Sequence, residues 1–260
     1  MTCGHRVDVS KDSASVSFSC APSSAIDPEV ARLRRTLTLP TDDWPFLYLP
    51  EAEVPTAYLI VIAMLALASI LILRGRGLRL AKLGAPQWHL FFLGAAFLLV
   101  EVHSINRLAL LFGTTWLVSA VTIALVLVLI LLANLTAMAW TSVPYGLAYA
   151  GLFASLAASY LINSQPVAGL GLVASVGYAL VQLLPVYFAG LVFARSFAGA
   201  SVAGAALGAN LLGAVVGGWV EYASMVVGIR ALVLIAAALY LSSALALLRA
   251  RQADGAAPAP

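Results

Sequence analysis

The stretch His89-Leu-Phe-Phe-Leu-Gly-Ala-Ala-Phe-Leu-Leu-Val-Glu101-Val-His103-Ser104-Ile-Asn106-Arg107-Leu-Ala-Leu-Leu-Phe-Gly-Thr-Thr-Trp116 is an apolar run with a polar word in its middle. It is long enough to cross a bilayer as a helix, which needs roughly 20 residues. Groups such as Glu101 and His103 would then sit far from water, where a charge costs several kcal/mol unless paired or hydrated. A run of this kind decides the fold class, and its polar insertions are the first place to look for function.

The rest of the chain agrees. Of 260 residues, 62% are hydrophobic and 10% charged, with a mean hydropathy of +1.00. One soluble core of this size cannot hide that much apolar surface. The apolar runs are continuous, which disfavours an alternating β-barrel pattern. The expected fold is therefore all-α: a polytopic transmembrane bundle of about seven spans behind a short polar N-terminal segment. The spans are Pro55–Leu73, Trp88–Phe112, Thr115–Met138, Pro144–Ile162, Ala168–Ala194, Gly199–Val220 and Arg230–Leu248. Helices are expected because lipid offers backbone polar groups no other partner. Residues 1–54 form the polar segment, 55–248 the membrane domain and 249–260 a disordered tail. Within the first segment, Ser10–Ser24 reads as loop or frayed strand and Asp27–Leu37 as a short surface helix. No apolar leader occurs in the first twenty residues. Cys3 and Cys20 have no metal-ligand spacing, and nothing in the sequence supports a disulfide between them.

Small residues mark packing faces, because they let backbones approach closely. Gly151, Ser155 and Ser159 recur every four residues in the fourth span. In the sixth, Gly204/Gly208 and Gly213/Gly217 lie about 180° apart around the helix. Two opposed small faces predict a central helix packed on both sides. Pro185 should kink the fifth span. Trp44, Trp88, Trp116, Trp140 and Trp219 lie near span ends, as interfacial anchors do.

Glu101, Gln182 and Asn210 each lie near mid-span. They are expected to converge on an intramembrane polar site with His103, where a carboxyl and an imidazole could exchange a proton. The plainer alternative, and the favoured one, is a polar clamp between helices. Glu101 and Arg107 diverge by about 120° on an ideal helix, so a direct pair is not expected. His103 and Arg107 share a face, and Arg107 is expected to snorkel toward the membrane edge. Adjacent Asp42 and Asp43 read as a capping turn in preference to an acid/base pair. Glu221 and Arg230 read as a membrane-edge ion pair. His5 and His89 are isolated, so no metal set is expected. No basic patch interleaved with aromatics points to nucleic acid.

On the side opposite the N-terminus stand Arg74, Arg76, Arg79, Lys82, Arg195, Arg249 and Arg251. The excess of basic residues argues that this side, with the C-terminus, is cytoplasmic.

Three strings carry a family resemblance. They are Thr41-Asp42-Asp43-Trp44-Pro45-Phe46-Leu47-Tyr48-Leu49 ahead of the first span; Phe91-Phe-Leu-Gly94 leading through Glu101 to Leu108-Ala-Leu-Leu-Phe-Gly113-Thr-Thr-Trp-Leu-Val118 and Leu131-Leu-Ala-Asn134-Leu; and Gly208-Ala-Asn210-Leu-Leu-Gly213-Ala-Val-Val-Gly217-Gly-Trp-Val-Glu221-Tyr222, followed by Gly228-Ile-Arg230. Over roughly residues 25–248 the chain resembles the C-terminal membrane region of bacterial spermidine/spermine synthase-like proteins. There, a Rossmann-like domain resembling S-adenosylmethionine-dependent enzymes is fused to membrane helices. The resemblance implies a bacterial inner-membrane protein and a polyamine-related setting. It departs from the family at Val102-His103, where a Thr-Lys pair is common, and at Ala139-Trp140-Thr-Ser-Val, where the loop is usually basic. No Gly-rich strand-to-helix turn followed by an acidic residue is present. No catalytic residue, enzymatic activity or cofactor is therefore expected of this chain. Its expected role is a membrane module that anchors, or pairs with, a synthase-like or methyltransferase-like domain encoded elsewhere or lost by truncation. The other expected partners are the bilayer and a second copy of the chain. The alternative is a transporter-like protein moving a small, possibly cationic, metabolite through Glu101. A cytoplasmic synthase-like domain would want the N-terminal side inside, against the basic-residue argument.

Overall fold

The computed structural model describes residues 2–10, 13–21, 41–46, 49, 51–75, 83–113, 115–140, 143–163 and 172–255. The expected helix at Asp27–Leu37 lies outside them. The chain divides into two compact units. In the first, β1 (Thr2–Ser10) pairs antiparallel with β2 (Ser13–Ala21) in a hairpin. The serine-rich stretch is thus strand for most of its length, and the register sets Cys3 opposite Cys20.

The second unit holds Asp42–Pro45 and everything from Glu53 onward. It is helical: α1 (Thr56–Gly75), α2 (Ala85–Phe112), α3 (Trp116–Ala139), α4 (Tyr145–Ile162), α5 (Leu172–Ala198), α6 (Ala203–Glu221), the single turn α7 (Ser224–Val227) and α8 (Ala231–Gly255). Six of these helices are long and apolar enough to cross a membrane. α1, at the expected first span, is an apolar helix of 20 residues, Thr56–Gly75. Local chemistry sets several ends. A proline in the first turn starts α2 three residues earlier than Trp88. Thr115 caps α3 by accepting from Val118 N at 3.3 Å. α8 runs to Gly255, so Arg249–Gly255 of the expected disordered tail is helix.

α2 is the central helix and packs against α6, α8, α5 and α3, while α4 and α3 each pack on α5. The core includes Leu93, Leu99, Leu152, Val186, Val192, Leu232 and Tyr240. Large apolar side chains also cover the outside. Leu59, Met64, Leu67 and Leu71 of α1, and Leu127, Val128, Leu131 and Leu135 of α3, are all exposed. Such a surface would aggregate in water but matches lipid, which is as apolar as leucine. The chain is therefore a multi-pass membrane protein.

The small-residue readings divide. Gly151 lies under the Phe188 ring, and Ser155 and Ser159 are buried, so that stripe packs α4 on α5. Gly213 and Gly217 lie directly on the backbone of Phe91 and Ala95 and bring α6 onto α2. Gly204 and Gly208, in contrast, face open space. The expectation of a central α6 packed on both faces is thus corrected. α6 spends one small face on α2, and the middle of the bundle belongs to α2. Pro185 stands inside α5, which continues on both sides of it.

The bundle has two ends, recognisable by their contacts. At one, His103 meets Ile229 and Arg107 meets Asn163; this is the Asn163 end. At the other, His89 meets Ser243 and Arg195 lies over Tyr145; this is the Tyr145 end.

Candidate functional site

The densest polar constellation is centred on Arg107, in the last turns of α2. At 1.5 Å per residue, its Cα is only about 8 Å from the helix end at Phe112. Even so, the side chain does not reach for the membrane edge. Arg107 is 1% exposed and turns into the bundle, which corrects the snorkelling expectation. The reason lies in its face. His103 and Ser104 precede it by one turn, all three are buried, and together they point at α4, α5 and the loop before α8.

Three of its nitrogens have partners. Nε donates to Asn163 Oδ1 at 3.0 Å and to the Tyr178 hydroxyl at 2.8 Å. Nη1 donates to Asp42 O at 2.9 Å and Nη2 to Asn163 O at 3.2 Å. All the acceptors are carbonyl, amide or hydroxyl oxygens. Among the described residues no carboxylate pairs with this guanidinium.

Asn163, at the C-cap of α4, is the hub. Its Oδ1 accepts from Arg107, from Tyr178 Oη at 2.8 Å and from Gln182 Nε2. Its Nδ2 lies 2.9 Å from His103 Nε2. The other imidazole nitrogen, Nδ1, is 2.9 Å from Ile229 O, which can only accept. The network therefore assigns the hydrogen to Nδ1 and leaves Nε2 to accept from Asn163. Gln182 Oε1 accepts from Ser159 Oγ at 2.6 Å, and Gln182 O accepts from Ser104 Oγ at 3.0 Å.

The strip ahead of the first span closes this end of the bundle. Asp43 Oδ1 accepts from Arg230 N at 2.8 Å and Asp43 O from Ile229 N at 2.8 Å. Trp44 is buried and its Nε1 donates to Met225 O at 2.6 Å. Asp43 thus caps the start of α8, in line with the capping reading of the Asp42-Asp43 pair. Trp44 is a buried plug and not an interfacial anchor. Gly228 sits at φ +87°, a conformation open to glycine, with Asp43 packed where a Cβ would project. The expected Glu221–Arg230 ion pair is absent among the described residues. The Arg230 guanidinium lies instead 4.5 Å from the centroid of Tyr160.

Of the four residues expected to converge, His103 and Gln182 do so through Asn163. Asn210 does not: it packs on Gly94, and its Nδ2 donates to Leu90 O at 3.1 Å. Glu101 also stands apart. It is half-buried and has no hydrogen-bond partner among the described residues. Two residues from His103, it points about 160° away around the helix. Asn163 and Tyr178 were missed in the sequence. The one available signal was that Asn163 extends the Gly151, Ser155, Ser159 spacing by a further four residues.

The described residues contain no group of three or more His, Cys, Asp or Glu side chains placed to hold a metal. Chemically, the Arg107 network is a densely bonded knot: each side-chain nitrogen and oxygen in it has at least one partner. It can fix the relative positions of α2, α4, α5, the Asp42–Trp44 strip and the start of α8. Searches of protein-family models, curated proteins and solved structures found no match for this chain.

Proposed function

We propose that the chain is an integral membrane module that anchors, or pairs with, a catalytic domain of the spermidine synthase-like kind. One observation carries this reading. The Asp42–Trp44 strip, which in the resemblance joins that domain to the membrane helices, is tied into the bundle by hydrogen bonds from Arg107, Ile229, Arg230 and to Met225. A junction tied at that many points fixes position, as a flexible tether would not. The membrane is proposed to be the bacterial cytoplasmic membrane.

The competing proposal is a transporter-like protein for a small, possibly cationic, metabolite. It draws on the Glu101 carboxylate, which the network leaves without a partner. Two arguments about orientation oppose each other. A nucleotide-dependent domain at the strip requires the Asn163 end in the cytoplasm. The basic residues Arg195, Arg249 and Arg251 favour the Tyr145 end and the C-terminus there.

The test combines topology with pull-down. Single cysteines placed near Glu53 and near Arg251 are labelled from outside intact cells, and the tagged full chain is isolated from the same cells. Support would be a cytoplasmic Asn163 end and a stoichiometric, S-adenosylmethionine-type nucleotide-binding partner that is lost on Trp44→Ala. A cytoplasmic Tyr145 end, with metabolite binding by the isolated chain that is lost on Glu101→Gln, overturns the module reading and supports the transporter.

A further inference from the structure

A cavity of about 450 Å³ opens at the Tyr145 end, lined by Gln87, His89, Tyr145, Ser196, Ser201 and Arg251 among others. Its volume falls in the range of small-molecule sites, roughly 300–1,000 Å³. Three features in or beside its walls have the same electrostatic sign.

The first is the arginines. Arg251 lines the cavity, and its guanidinium carbon is 5.0 Å from the centroid of Tyr145, also in the wall. Arg195 lies 4.6 Å from the centroid of that same ring. Two guanidiniums thus share one aromatic ring, and no described residue in the cavity wall carries a carboxylate. The π-face compensates a cation only partly, by about 0.5–2 kcal/mol. The second feature is an orphan: Arg195 Nη1 is buried and has no hydrogen-bond partner. A buried, unmatched donor on a cation is costly; Arg195 is not a lining residue, and its charge acts on the cavity from beside Tyr145.

The third feature is the backbone. α2, α4 and α6 all begin at this end, and Pro86 and Gln87, Tyr145, and Ser201 and Val202 from their starts all border the cavity. None of the three N-caps makes a side-chain hydrogen bond, and none of the three first turns holds an acidic residue. Each start therefore presents free N–H groups and the positive end of a helix dipole. Helix starts alone would not define a ligand site. Here they coincide with a lined cavity, a lining arginine and an orphaned guanidinium nitrogen.

Polar groups are also held ready in the wall. His89 Nδ1 donates toward Ser243 O at 3.1 Å, and Ser196 Oγ lies 2.8 Å from His89 Nε2. Tyr149 Oη and Ser243 Oγ, 3.0 Å apart, buttress the ring from behind. The imidazole and the serine hydroxyl are thereby fixed in place before any ligand arrives.

We infer that this cavity is a binding site for a phosphate group. Arg251 would supply the planar fork that matches phosphate oxygens, the helix starts would supply N–H donors, and Arg195 would supply the second cation behind Tyr145. The phosphate could belong to an anionic lipid headgroup or to a soluble phosphate or phosphoester. The inference stands apart from the proposed module function, since it concerns the opposite end of the bundle.

The full chain is tested in two arms. In neutral detergent, ³²P-orthophosphate binding is measured by equilibrium dialysis at constant ionic strength. In nanodiscs of phosphatidylcholine with or without phosphatidylglycerol, lipid retained per chain is counted by native mass spectrometry. Saturable orthophosphate binding assigns the site to a soluble anion; retention of phosphatidylglycerol over phosphatidylcholine assigns it to a headgroup. In either case Arg251→Gln should weaken binding by about tenfold or more, and Arg249→Gln should not. Arg195→Gln should weaken binding while leaving the melting temperature unchanged or higher, because it removes a cation with a buried, unmatched nitrogen. Absence of saturable binding in both arms overturns the inference, as does binding by folded Arg251→Gln equal to that of the parent.

Discussion

Replacing Arg107 by Met keeps a long side chain in the space but removes the network's charge and its fork. Four hydrogen bonds vanish, to Asn163 Oδ1, Asn163 O, Tyr178 Oη and Asp42 O. The single Nε hydrogen is shared between Asn163 Oδ1 and Tyr178 Oη, so three N–H donors are lost; at about 1.5–3 kcal/mol each the gross loss is about 4.5–9 kcal/mol. The variant no longer buries a guanidinium, which returns several kcal/mol. The net loss should be about 2–5 kcal/mol, close to the cost of deleting one partner from a buried network. For a chain of this size that lowers the melting temperature by about 4–20 °C. The assay is thermal unfolding in neutral detergent followed by near-ultraviolet circular dichroism, where Trp44 reports on the strip. Arg107→Lys should recover less than half the loss, since an ammonium cannot reproduce the fork. A double-mutant cycle with Asn163→Leu should show coupling of at least about 1 kcal/mol. A melting temperature within about 2 °C of the parent for Arg107→Met, or additive effects in the cycle, would refute the idea that the network holds this end together.

The α2–α6 seam gives a paired prediction. Gly213→Leu must push α6 off the Phe91 backbone and should cost about 1–3 kcal/mol. Gly204→Ala, facing open space, should be neutral or gain up to about 1 kcal/mol from helix propensity; equal effects at the two sites in thermal melts would show the seam to be misplaced. Glu101→Gln removes no hydrogen bond found among the described residues and should change stability by less than about 0.5 kcal/mol. A larger loss in the same melts would mean that Glu101 is tied into the bundle. Gly228→Ala forces a side chain into a positive-φ position against Asp43. It should cost about 1–3 kcal/mol from the backbone alone and speed proteolysis of the strip. A protease half-life equal to the parent's would argue that Asp43 does not depend on that turn.

Hydropathy alone was enough to locate the helices, because a lipid-spanning backbone has one solution and a continuous apolar run announces it. Boundaries moved by a few residues where caps intervened, as at Pro86 and Thr115. The polar word at Glu101–Arg107 was also legible as unusual. Which of its members matter was not. Glu101, the costliest-looking group, stands outside the network, while Arg107, read as an edge residue, is its centre. The difference comes from helix rotation. Residues two apart point about 160° from each other, and only the partners' positions say which direction is inward. Asn163 could not be picked out, since its role depends on α4 ending beside α2 and α5. The same holds for the glycines of α6. Gly204/Gly208 and Gly213/Gly217 have identical spacing, yet only the second pair has a helix against it.

By itself, then, the sequence determined that this chain is a helical membrane protein, roughly where each span runs, and that charge is sparse enough for every intramembrane polar group to need a reason. Those are properties of single segments in lipid, set by local hydropathy and by backbone hydrogen bonding. The tertiary structure alone decided which polar groups meet: Arg107 with Asn163, Asp43 with the start of α8, and Arg195 with Arg251 around Tyr145. Such meetings depend on the rotation and depth of several helices at once, which no single segment encodes.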